Sequence, residues 1–165
     1  MNLGKGLKKD FFARKSEEVA IDLLGKLLVY KNGLYVINET AAFEGETKNK
    51  RPKLENLSME PGAIYPHYSC RTYSLAINTE EKGIPSVITI TEMKDKKEIY
   101  TPGNIGKIIQ LGKDNLGEII NADSSFKIHE NNSLPSKLII ERYKPKNSPE
   151  NLISKYKINK QMKLF

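Results

Sequence analysis

The stretch KLLVYKNGLYVINETAAFEG, residues 26–45, carries the strongest local signal in the chain. Two apolar segments rich in β-branched and aromatic residues flank the dipeptide Asn32-Gly33. Such a dipeptide favours a type I′ turn, because both residues tolerate the positive φ angles that this turn requires. The stretch therefore predicts a tight β-hairpin whose second strand continues through Ala41 to Phe43.

The segments around this hairpin predict a single α+β domain over residues 1–165. Before it, KSEEVAIDLLG has the apolar spacing of a helix, with Ser16 as N-cap and Gly25 as its stop. After it, strands are predicted in AIYPHYSCRTYSLAINT, PSVITITEM, FKIHE and KLIIERY. TPGNIGKIIQLG predicts a helix with Thr101 as N-cap, and NSPENLISKY predicts a short final helix. The expected fold is one curved, mostly antiparallel sheet with peripheral helices.

The composition favours a polyanionic partner. Lysine and arginine total 27 against 20 acidic residues, which gives a net charge of +7 and a pI near 9.3. Each cation that meets a phosphate releases a counterion, so this surplus favours nucleic-acid binding. A genome rich in lysine codons raises the pI in the same way, and composition alone leaves both explanations open.

Several other classes of protein lack support in the sequence. Cys70 is the only cysteine, so an internal disulfide is impossible and a reducing compartment is expected. No apolar run approaches the ~18 residues of a membrane span, and the basic start lacks the apolar core of a secretory signal. One cysteine and two distant histidines give no metal-ligand cluster, and no GK[ST] motif supports a nucleotide-binding loop. We expect a cytoplasmic protein, nucleoid-associated if bacterial, that uses no metal and no cofactor.

Four motifs in a fixed order are more specific than any one of them. DLLGKLLV precedes ETAAFEG, and EPGAIYPHYSCRTY and TPGNIGKIIQLG follow. This order resembles the alkyladenine (3-methyladenine) DNA glycosylase family of base-excision repair. The corresponding segments of that family read LLGK-LV, ETEAYLG, PG-x-LYVY-xx-YG-M and GPGKLCQALGI. The resemblance spans roughly residues 11–154.

The resemblance implies a fold and a mechanism. The family has a barrel-like sheet, similar to the C-terminal domain of formyltransferases, and a protruding β-hairpin, here near residues 64–78. Its members act as monomers on double-stranded DNA, push a side chain into the base stack and swing an alkylated or deaminated purine into a pocket. A carboxylate then activates the water that releases the base. The chain is therefore expected to be a base-flipping DNA glycosylase, a hydrolase of DNA repair, or a variant of one.

The alignment places an alanine where the family has its general base. ETEAYLG aligns without a gap on residues 39–45, so the second glutamate of the motif falls on Ala41. A methyl group accepts no proton, and loss of a general base costs about 10²- to 10⁴-fold in rate. Glu39 points to the same face of the strand but lies about 6–7 Å away, which makes it a weak substitute. Natural divergence and a deliberate Glu→Ala change are both open, and the number of altered site positions favours divergence.

Three side chains take the positions of the family's base pocket. Phe43 replaces the stacking tyrosine and keeps its ring. Tyr65 and His67 align on two tyrosines of the segment PGTLYVYIIYGMY. An imidazole stacks on a purine and donates a hydrogen bond, so His67 is expected in the pocket wall, with an ordinary surface histidine as the alternative.

The side chain that enters the base stack is less well determined. Cys70 aligns on the family's wedge tyrosine but fills much less space between base pairs. Arg71 and Tyr68 are the alternatives, because a shift of the hairpin register by one or two residues moves either of them to the tip.

Basic residues and one glycine-containing turn are the expected phosphate contacts. The turn TPGN leads into a helix start, and the polar loop after Gly45 carries a basic cluster. The predicted contacts are Lys48, Lys50, Arg51, Lys53, Gly103 and Asn104. Solvated surface charge and an ordinary proline-initiated helix are the alternatives.

Two further functions are compatible with the sequence. A module that binds lesions or other nucleic-acid sites without cleaving them is favoured by Ala41. An RNA-binding or protein-binding role for the same fold is allowed by the replaced pocket and wedge residues.

Overall fold

Ten strands and four short helices are formed by the residues that the structure, a computed structural model, describes: 2–48, 52–162 and 164. The strands are β1 (Leu3–Gly6), β2 (Leu27–Tyr30), β3 (Gly33–Glu44), β4 (Ile64–Ser69), β5 (Thr72–Asn78), β6 (Ser86–Lys94), β7 (Ile99–Tyr100), β8 (Lys127–Asn131), β9 (Ile140–Tyr143) and β10 (Leu152–Ile158). The helices are α1 (Lys9–Phe12), α2 (Ser16–Leu23), α3 (Leu54–Leu57) and α4 (Pro102–Ile108), and a 3₁₀ turn spans Lys113–Asn115. Among these residues, no helix has both the length and the apolar character needed to cross a membrane.

The longest strand, β3, organises the sheet. One edge of β3 pairs with β6 from Val36 to Glu44. The other edge pairs first with β2 and then, from Glu39 to Phe43, with β10. Further pairings give the order β1-β8-β2-β3-β6-β5-β4, with β9 beside β10 and β7 beside β6. The pairings are antiparallel, and none among the described strands joins β1 to β4, so the sheet is open and curved. The predicted α+β fold is confirmed.

Helix α2 covers one face of the sheet and closes the hydrophobic core. Its Val19, Ala20 and Leu23 are fully buried against the sheet. Thr40 of β3 donates a hydrogen bond to the Ala20 carbonyl at 2.7 Å. Ala42 belongs to the same core, and side chains alternate along a strand. Ala41 and Phe43 therefore lie on the face of β3 that points away from α2.

The predicted hairpin of residues 26–45 is present, but its turn differs from the prediction. Tyr30 pairs with Gly33, so the loop consists of Lys31 and Asn32. Of these two residues, only Lys31 has a positive φ, 52°, and the type I′ assignment is wrong. Glycine at position 33 has another reason: a Cβ there would lie 2.7 Å from ring atoms of Tyr35, which folds over it.

The predicted final helix is wrong. Residues Leu152–Ile158 form β10, and their burial alternates, with Leu152, Ser154, Tyr156 and Ile158 buried. This period of two belongs to a strand with one buried face, and β3 supplies the free edge that it joins. The Ser-Pro dipeptide before this strand lies in a turn, where the Leu152 amide donates to the Pro149 carbonyl.

One of the two predicted helix N-caps differs in the structure. Lys15 occupies the N-cap of α2, and Ser16 is the first helical residue. The Ser16 hydroxyl instead donates to the Glu44 carboxylate at 3.3 Å, which ties the helix start to the end of β3. Thr101 is at the N-cap of α4 as predicted, without a side-chain capping bond.

Helix α4 packs closely on the hairpin formed by β4 and β5. That hairpin pairs from Ile64↔Ile77 to Ser69↔Thr72, in the region predicted from the resemblance. A Cβ at Gly106 of α4 would overlap the carbonyl oxygen of Tyr73, whereas one at Gly103 would meet only a Thr72 methyl at 3.8 Å. The helix can approach β5 this closely only because position 106 has no side chain.

Gly106→Ala is expected to destabilise the fold by about 1–3 kcal/mol, because the new methyl forces α4 away from β5. Urea denaturation measures the loss. Gly103→Ala is the matched control on the same helix and is expected to change stability little. Equal effects from the two substitutions would contradict the close-packing explanation.

Candidate functional site

A cavity of about 200 Å³ lies on the sheet face that points away from α2. Its walls are mainly apolar, with a few polar side chains among them. The apolar lining residues are Phe43, Pro52, Leu57, Ala76, Val87 and Pro149. The polar lining residues are Thr47, Tyr65, His67, Thr89 and Asn151. A mostly apolar cavity with a few polar groups is typical of a small-ligand site.

The strand register brings the predicted pocket residues together. Ala41 of β3 is opposite Thr89 of β6, Thr89 is opposite Ala76 of β5, and Ala76 is opposite Tyr65 of β4. Directly opposed residues point to the same face, so this row runs from position 41 into the cavity. Phe43 lies two residues further along β3, on the same face. Position 41, where the alignment predicts the family's general base, is thus one strand away from the cavity wall at Thr89.

Tyr65 and His67 form a pair inside the cavity. The Tyr65 hydroxyl and Nδ1 of His67 are 3.1 Å apart, within hydrogen-bonding distance. Their rings meet edge to face, with centroids 5.6 Å apart. Burial lowers the pKa of His67 below its usual value of 6.5, so the imidazole is neutral at pH 7. Burial raises the pKa of Tyr65, an effect that a hydrogen bond from the Asn56 side chain partly offsets.

The Glu39 carboxylate is fully engaged by its neighbours. Tyr143 and Thr91 donate hydrogen bonds to Oε1 at 2.8 and 3.0 Å. The ammonium groups of Lys155 and Lys157 lie 3.4 and 3.5 Å from its oxygens. Burial favours the protonated acid, but these hydrogen bonds and charges outweigh it and hold the pKa of Glu39 below 4.5. A carboxylate with a lowered pKa and occupied lone pairs is a weak base.

The ion pairs extend beyond Glu39 across three strands. Lys157 also contacts Glu92 of β6 at 3.2 Å, and the Asn38 amide donates to the same Glu92 carboxylate. Burial, together with the Glu39 carboxylate, raises the pKa of Tyr143 to about 12, so its hydroxyl stays protonated and continues to donate. These groups form a structural clamp between β10, β3 and β6.

The tip of the β4–β5 hairpin carries all three predicted wedge residues. Cys70 and Arg71 form the turn, with φ of 50° and 64°. Tyr68 is 61% exposed, and its ring packs on Tyr73 with centroids 5.0 Å apart. Tyr68 is therefore the large exposed side chain beside the turn, while Cys70 is small and exposed.

A groove with several polar side chains lies between this turn and the start of α4, and we refer to it as the hairpin groove. It is lined by Ser69, Cys70, Arg71, Thr72, Ser74, Pro102, Gly103, Asn104 and Lys107. Two predicted phosphate contacts, Gly103 and Asn104, thus face the turn that holds Arg71. The Ser74 hydroxyl donates to the His67 carbonyl at 3.3 Å, so the groove lies directly beside the cavity.

The chain is similar in sequence to curated proteins named "Putative 3-methyladenine DNA glycosylase". The relative from Ehrlichia ruminantium (strain Gardel) is 29% identical over 144 residues, covering 76% of this chain and 74% of the relative. The relative from Ehrlichia chaffeensis (strain Arkansas) is 29% identical over 136 residues, covering 74% and 76%. This chain is a distant relative of these proteins. The resemblance inferred from the motif order is confirmed, although no family profile matches the chain.

Two of the described residues of the basic loop after Gly45 line the cavity. Thr47 and Pro52, which flank the segment 49–51, line the cavity. The Lys48 backbone amide donates to the Glu150 carboxylate, and Lys53 is exposed just before α3. The predicted contacts Lys50 and Arg51 lie outside the described residues.

Sequence reasoning missed several side chains of the cavity and groove. Pro149 and Asn151 escaped notice because their segment was assigned to a helix. Thr89 reads as one more residue of an apolar strand, and only its register with Ala41 reveals its position. Lys107 was available in TPGNIGK as a basic residue one helical turn after Gly103.

Glu39→Gln is expected to lower the free energy of unfolding by about 1–3 kcal/mol at pH 7, because two lysines lose a buried partner. The pKa of Glu39 is lowered on folding, so its contribution is present above pH 4.5 and is lost as the pH falls. The difference between the two proteins should therefore shrink below pH 4.5. Chemical denaturation across pH measures it.

Glu130→Gln provides the control, since it removes an ion pair with Lys26 whose acidic partner is 43% exposed. That substitution is expected to cost less than about 1 kcal/mol. A Glu39→Gln protein as stable as the unmodified chain at pH 7 would show that the clamp contributes nothing.

Proposed function

We propose that this chain binds damaged double-stranded DNA as a monomer and captures an extruded purine in its cavity, without releasing the base. The observation that carries this proposal is the cavity itself, where Phe43, Tyr65 and His67 meet beside the hairpin turn. The relatives' names support DNA as the partner. A base that leaves the duplex needs an apolar, partly aromatic pocket, which this cavity provides.

The hairpin supplies the means of extruding the base. Tyr68 is the exposed aromatic ring beside the turn, and an apolar side chain inserted between base steps unstacks them. We assign the wedge to Tyr68, since Cys70 is too small to replace a base. Arg71 then lies at the turn, where a guanidinium can meet the phosphate backbone.

The hairpin groove supplies phosphate contacts next to the captured nucleotide. Arg71 and Lys107 bring two positive charges to it, and Ser69, Thr72 and Asn104 bring polar side chains. A flipped nucleotide keeps its flanking phosphates on the duplex surface, close to the pocket mouth. Because the groove adjoins the cavity through Ser74 and His67, one DNA strand can occupy both.

The expected lack of base release follows from where the carboxylates lie. None of the described residues that line the cavity is acidic. Ala41 has a methyl group at the position of the family's base, and Glu39 is held by two lysines and two hydroxyl donors. A water molecule in the cavity would lack the proton acceptor that base release requires.

Base release is the second candidate activity, and the relatives' printed name favours it. It requires a proton acceptor near the sugar of the captured nucleotide. Position 41 is where such an acceptor would stand, next to Thr89 on the cavity side and Lys155 on the other. Introducing a carboxylate there separates the two candidates.

Ala41→Glu is expected to gain base release of at least about 10²-fold over the unmodified chain, because it restores a general base in the cavity row. The measurement is alkali-induced strand cleavage of duplexes with a single hypoxanthine or ethenoadenine. Ala41→Gln is the matched control, since it adds the same bulk without a base. We expect the unmodified chain and Ala41→Gln to bind these duplexes and release no base.

Release by the unmodified chain would establish base excision and disprove capture alone. If Ala41→Glu folds but neither releases base nor prefers damaged over intact duplex, the proposal of lesion binding fails. Circular dichroism of each variant checks that it is folded.

Removing one groove cation is expected to flatten the salt dependence of DNA binding. Arg71→Gln and Lys107→Gln should each reduce the slope of log affinity against log salt by about 1, because each neutralises one phosphate. Lys5→Gln, at the far end of the sheet on β1, should leave the slope unchanged. Fluorescence anisotropy of a labelled duplex between low and moderate salt measures the slopes. Equal slopes for all four proteins would show that the groove makes no phosphate contacts.

A further inference from the structure

We infer that the chain has a second binding site, at the β1–β8 end of the sheet, for a small phosphate ester that carries hydroxyl groups, such as a ribonucleotide or a sugar phosphate. A cavity of about 560 Å³ lies there, and we refer to it as the β8 cavity. Strand β2 lies between β8 and β3, so this cavity is at the other end of the sheet from the β4–β5 hairpin. The inference does not depend on the proposed capture of a DNA base.

The β8 cavity has an apolar floor and a polar rim. Leu7 and Ile128 line it and are buried, and the Leu7 amide donates to the Ile128 carbonyl at 2.7 Å. The polar lining residues are Lys8, Asn121, Asp123, Lys127 and His129. The volume falls within the range of about 300–1,000 Å³ that is usual for small-ligand sites. The cavity therefore has room for a nucleotide and both apolar and polar groups to contact one.

The charged side chains of the β8 cavity are not paired with one another. Lys8, Lys127 and Asp123 all line it, yet none of these side chains has an ion pair or hydrogen bond with another described residue. Two cations and one carboxylate held apart in this way leave space for a ligand between them. The lysines suit an anionic group, and the carboxylate suits hydroxyl donors.

His129 adds a group whose hydrogen-bonding pattern is fixed. Its Nδ1 lies 3.0 Å from the Gly4 carbonyl oxygen. Because a carbonyl oxygen only accepts, Nδ1 carries a proton, and the neutral ring keeps its acceptor lone pair on Nε2. Nε2 has no partner among the described residues. Gly6 leaves the ring uncovered, since a Cβ there would lie 3.5 Å from Cε1 of His129.

The loop that carries Asp123 is held in place by its own hydrogen bonds. The Asp123 backbone amide donates to Oδ1 of Asn121 at 2.7 Å, and the Asn121 backbone amide donates to the Ser124 hydroxyl at 3.2 Å. The side-chain nitrogen of Asn121 has no partner within the described part of the chain, so it remains available as a donor. A wall that is already ordered lowers the entropy cost of binding a ligand.

This set of groups favours a phosphate ester over a bare anion. Inorganic phosphate would be attracted by the two lysines and repelled by the Asp123 carboxylate. A ribose or another sugar phosphate places its phosphate on the lysines and donates its hydroxyls to Asp123 and to Nε2 of His129. Acidic side chains bind ribose hydroxyls in the same way in dinucleotide sites.

Binding is tested by isothermal titration calorimetry with adenosine 5′-monophosphate, ribose 5-phosphate and inorganic phosphate. We expect a dissociation constant of about 10–500 μM for at least one ester, and binding at least about 10-fold weaker for inorganic phosphate. The two esters distinguish a nucleotide from a sugar phosphate as the ligand. Equal affinity for inorganic phosphate, or no binding of either ester at about 5 mM, would overturn the inference.

The place of binding is tested by the NMR signal of the Cε1 proton of His129. The chain has only two histidines, so the spectrum of His67→Phe identifies the signal of His129. We expect the ester that binds to shift the His129 signal and to leave the His67 signal unchanged. A shift of the His67 signal alone would place the ester in the cavity that Phe43 lines, and the second site would be disproved.

Substitutions test the roles of the two lysines. Lys8→Gln and Lys127→Gln should each weaken ester binding about 5- to 10-fold, because each removes a charged hydrogen bond to the phosphate. Lys5→Gln is the matched control, since Lys5 lies on β1 and does not line the β8 cavity. Equal affinities for these three variants would contradict the assignment of the phosphate to Lys8 and Lys127.

Asp123→Ala should act in opposite directions on the two kinds of ligand. It removes an acceptor for the ester, whose binding should weaken about 3- to 10-fold, and it removes a repulsive charge, so inorganic phosphate should bind more tightly. Weakening of both ligands, or of neither, would overturn the role of Asp123. An undamaged DNA duplex should not displace the ester, and displacement would assign the lysines to a DNA interface instead of a small-ligand site.

Discussion

The hydrogen bonding of β3 along both edges is the constraint on which the rest of the structure depends. One edge holds β6 throughout, and the other holds β2 and then β10. The strand is buried from Val36 to Ala42, with α2 on one face and the cavity row on the other. The strand also positions one wall of the cavity: Phe43 lies on it, and Thr89 pairs with its Ala41. Lys155 pairs with Ala41 from the other side. A shift of one residue in its register would exchange the core face for the cavity face.

The clamp around Glu39 follows from the same arrangement. Two lysines of β10, one glutamate of β6 and one tyrosine of β9 meet on β3. These charges lock three strands at the point where the ladder between β3 and β6 is irregular, on both sides of Glu39. A carboxylate used in this way holds strands together, and the same contacts make it unsuited to take a proton. The Glu39 side chain cannot both hold the strands together and act as a general base, and in this protein it holds the strands together.

The sequence predicted the elements that have a strong local pattern. The apolar segments around Asn32-Gly33 were sufficient to predict the first hairpin. The resemblance to the family predicted the second hairpin near residues 64–78, and the motif order led to Phe43, Tyr65 and His67. The failures share a cause, which is dependence on distant partners. NSPENLISKY has a good helix start, and only the open edge of β3 turns its end into a strand. The engagement of Glu39 depends on Lys155 in that same misassigned segment and on Lys157 just after it, so it could not be foreseen.

The pairing of β10 with β3 has a consequence for the synthesis of the protein. Asn151, at the start of this pairing, is 106 residues after Gly45, to whose carbonyl it is hydrogen-bonded. While the ribosome makes the intervening chain, the backbone groups of residues 39–43 that later pair with β10 lack their hydrogen-bond partners. Exposed strand edges attract other chains, and long-range strand pairing is slow. The nascent chain therefore passes through a period in which its central strand is prone to aggregation, and this period ends only when β10 emerges and docks.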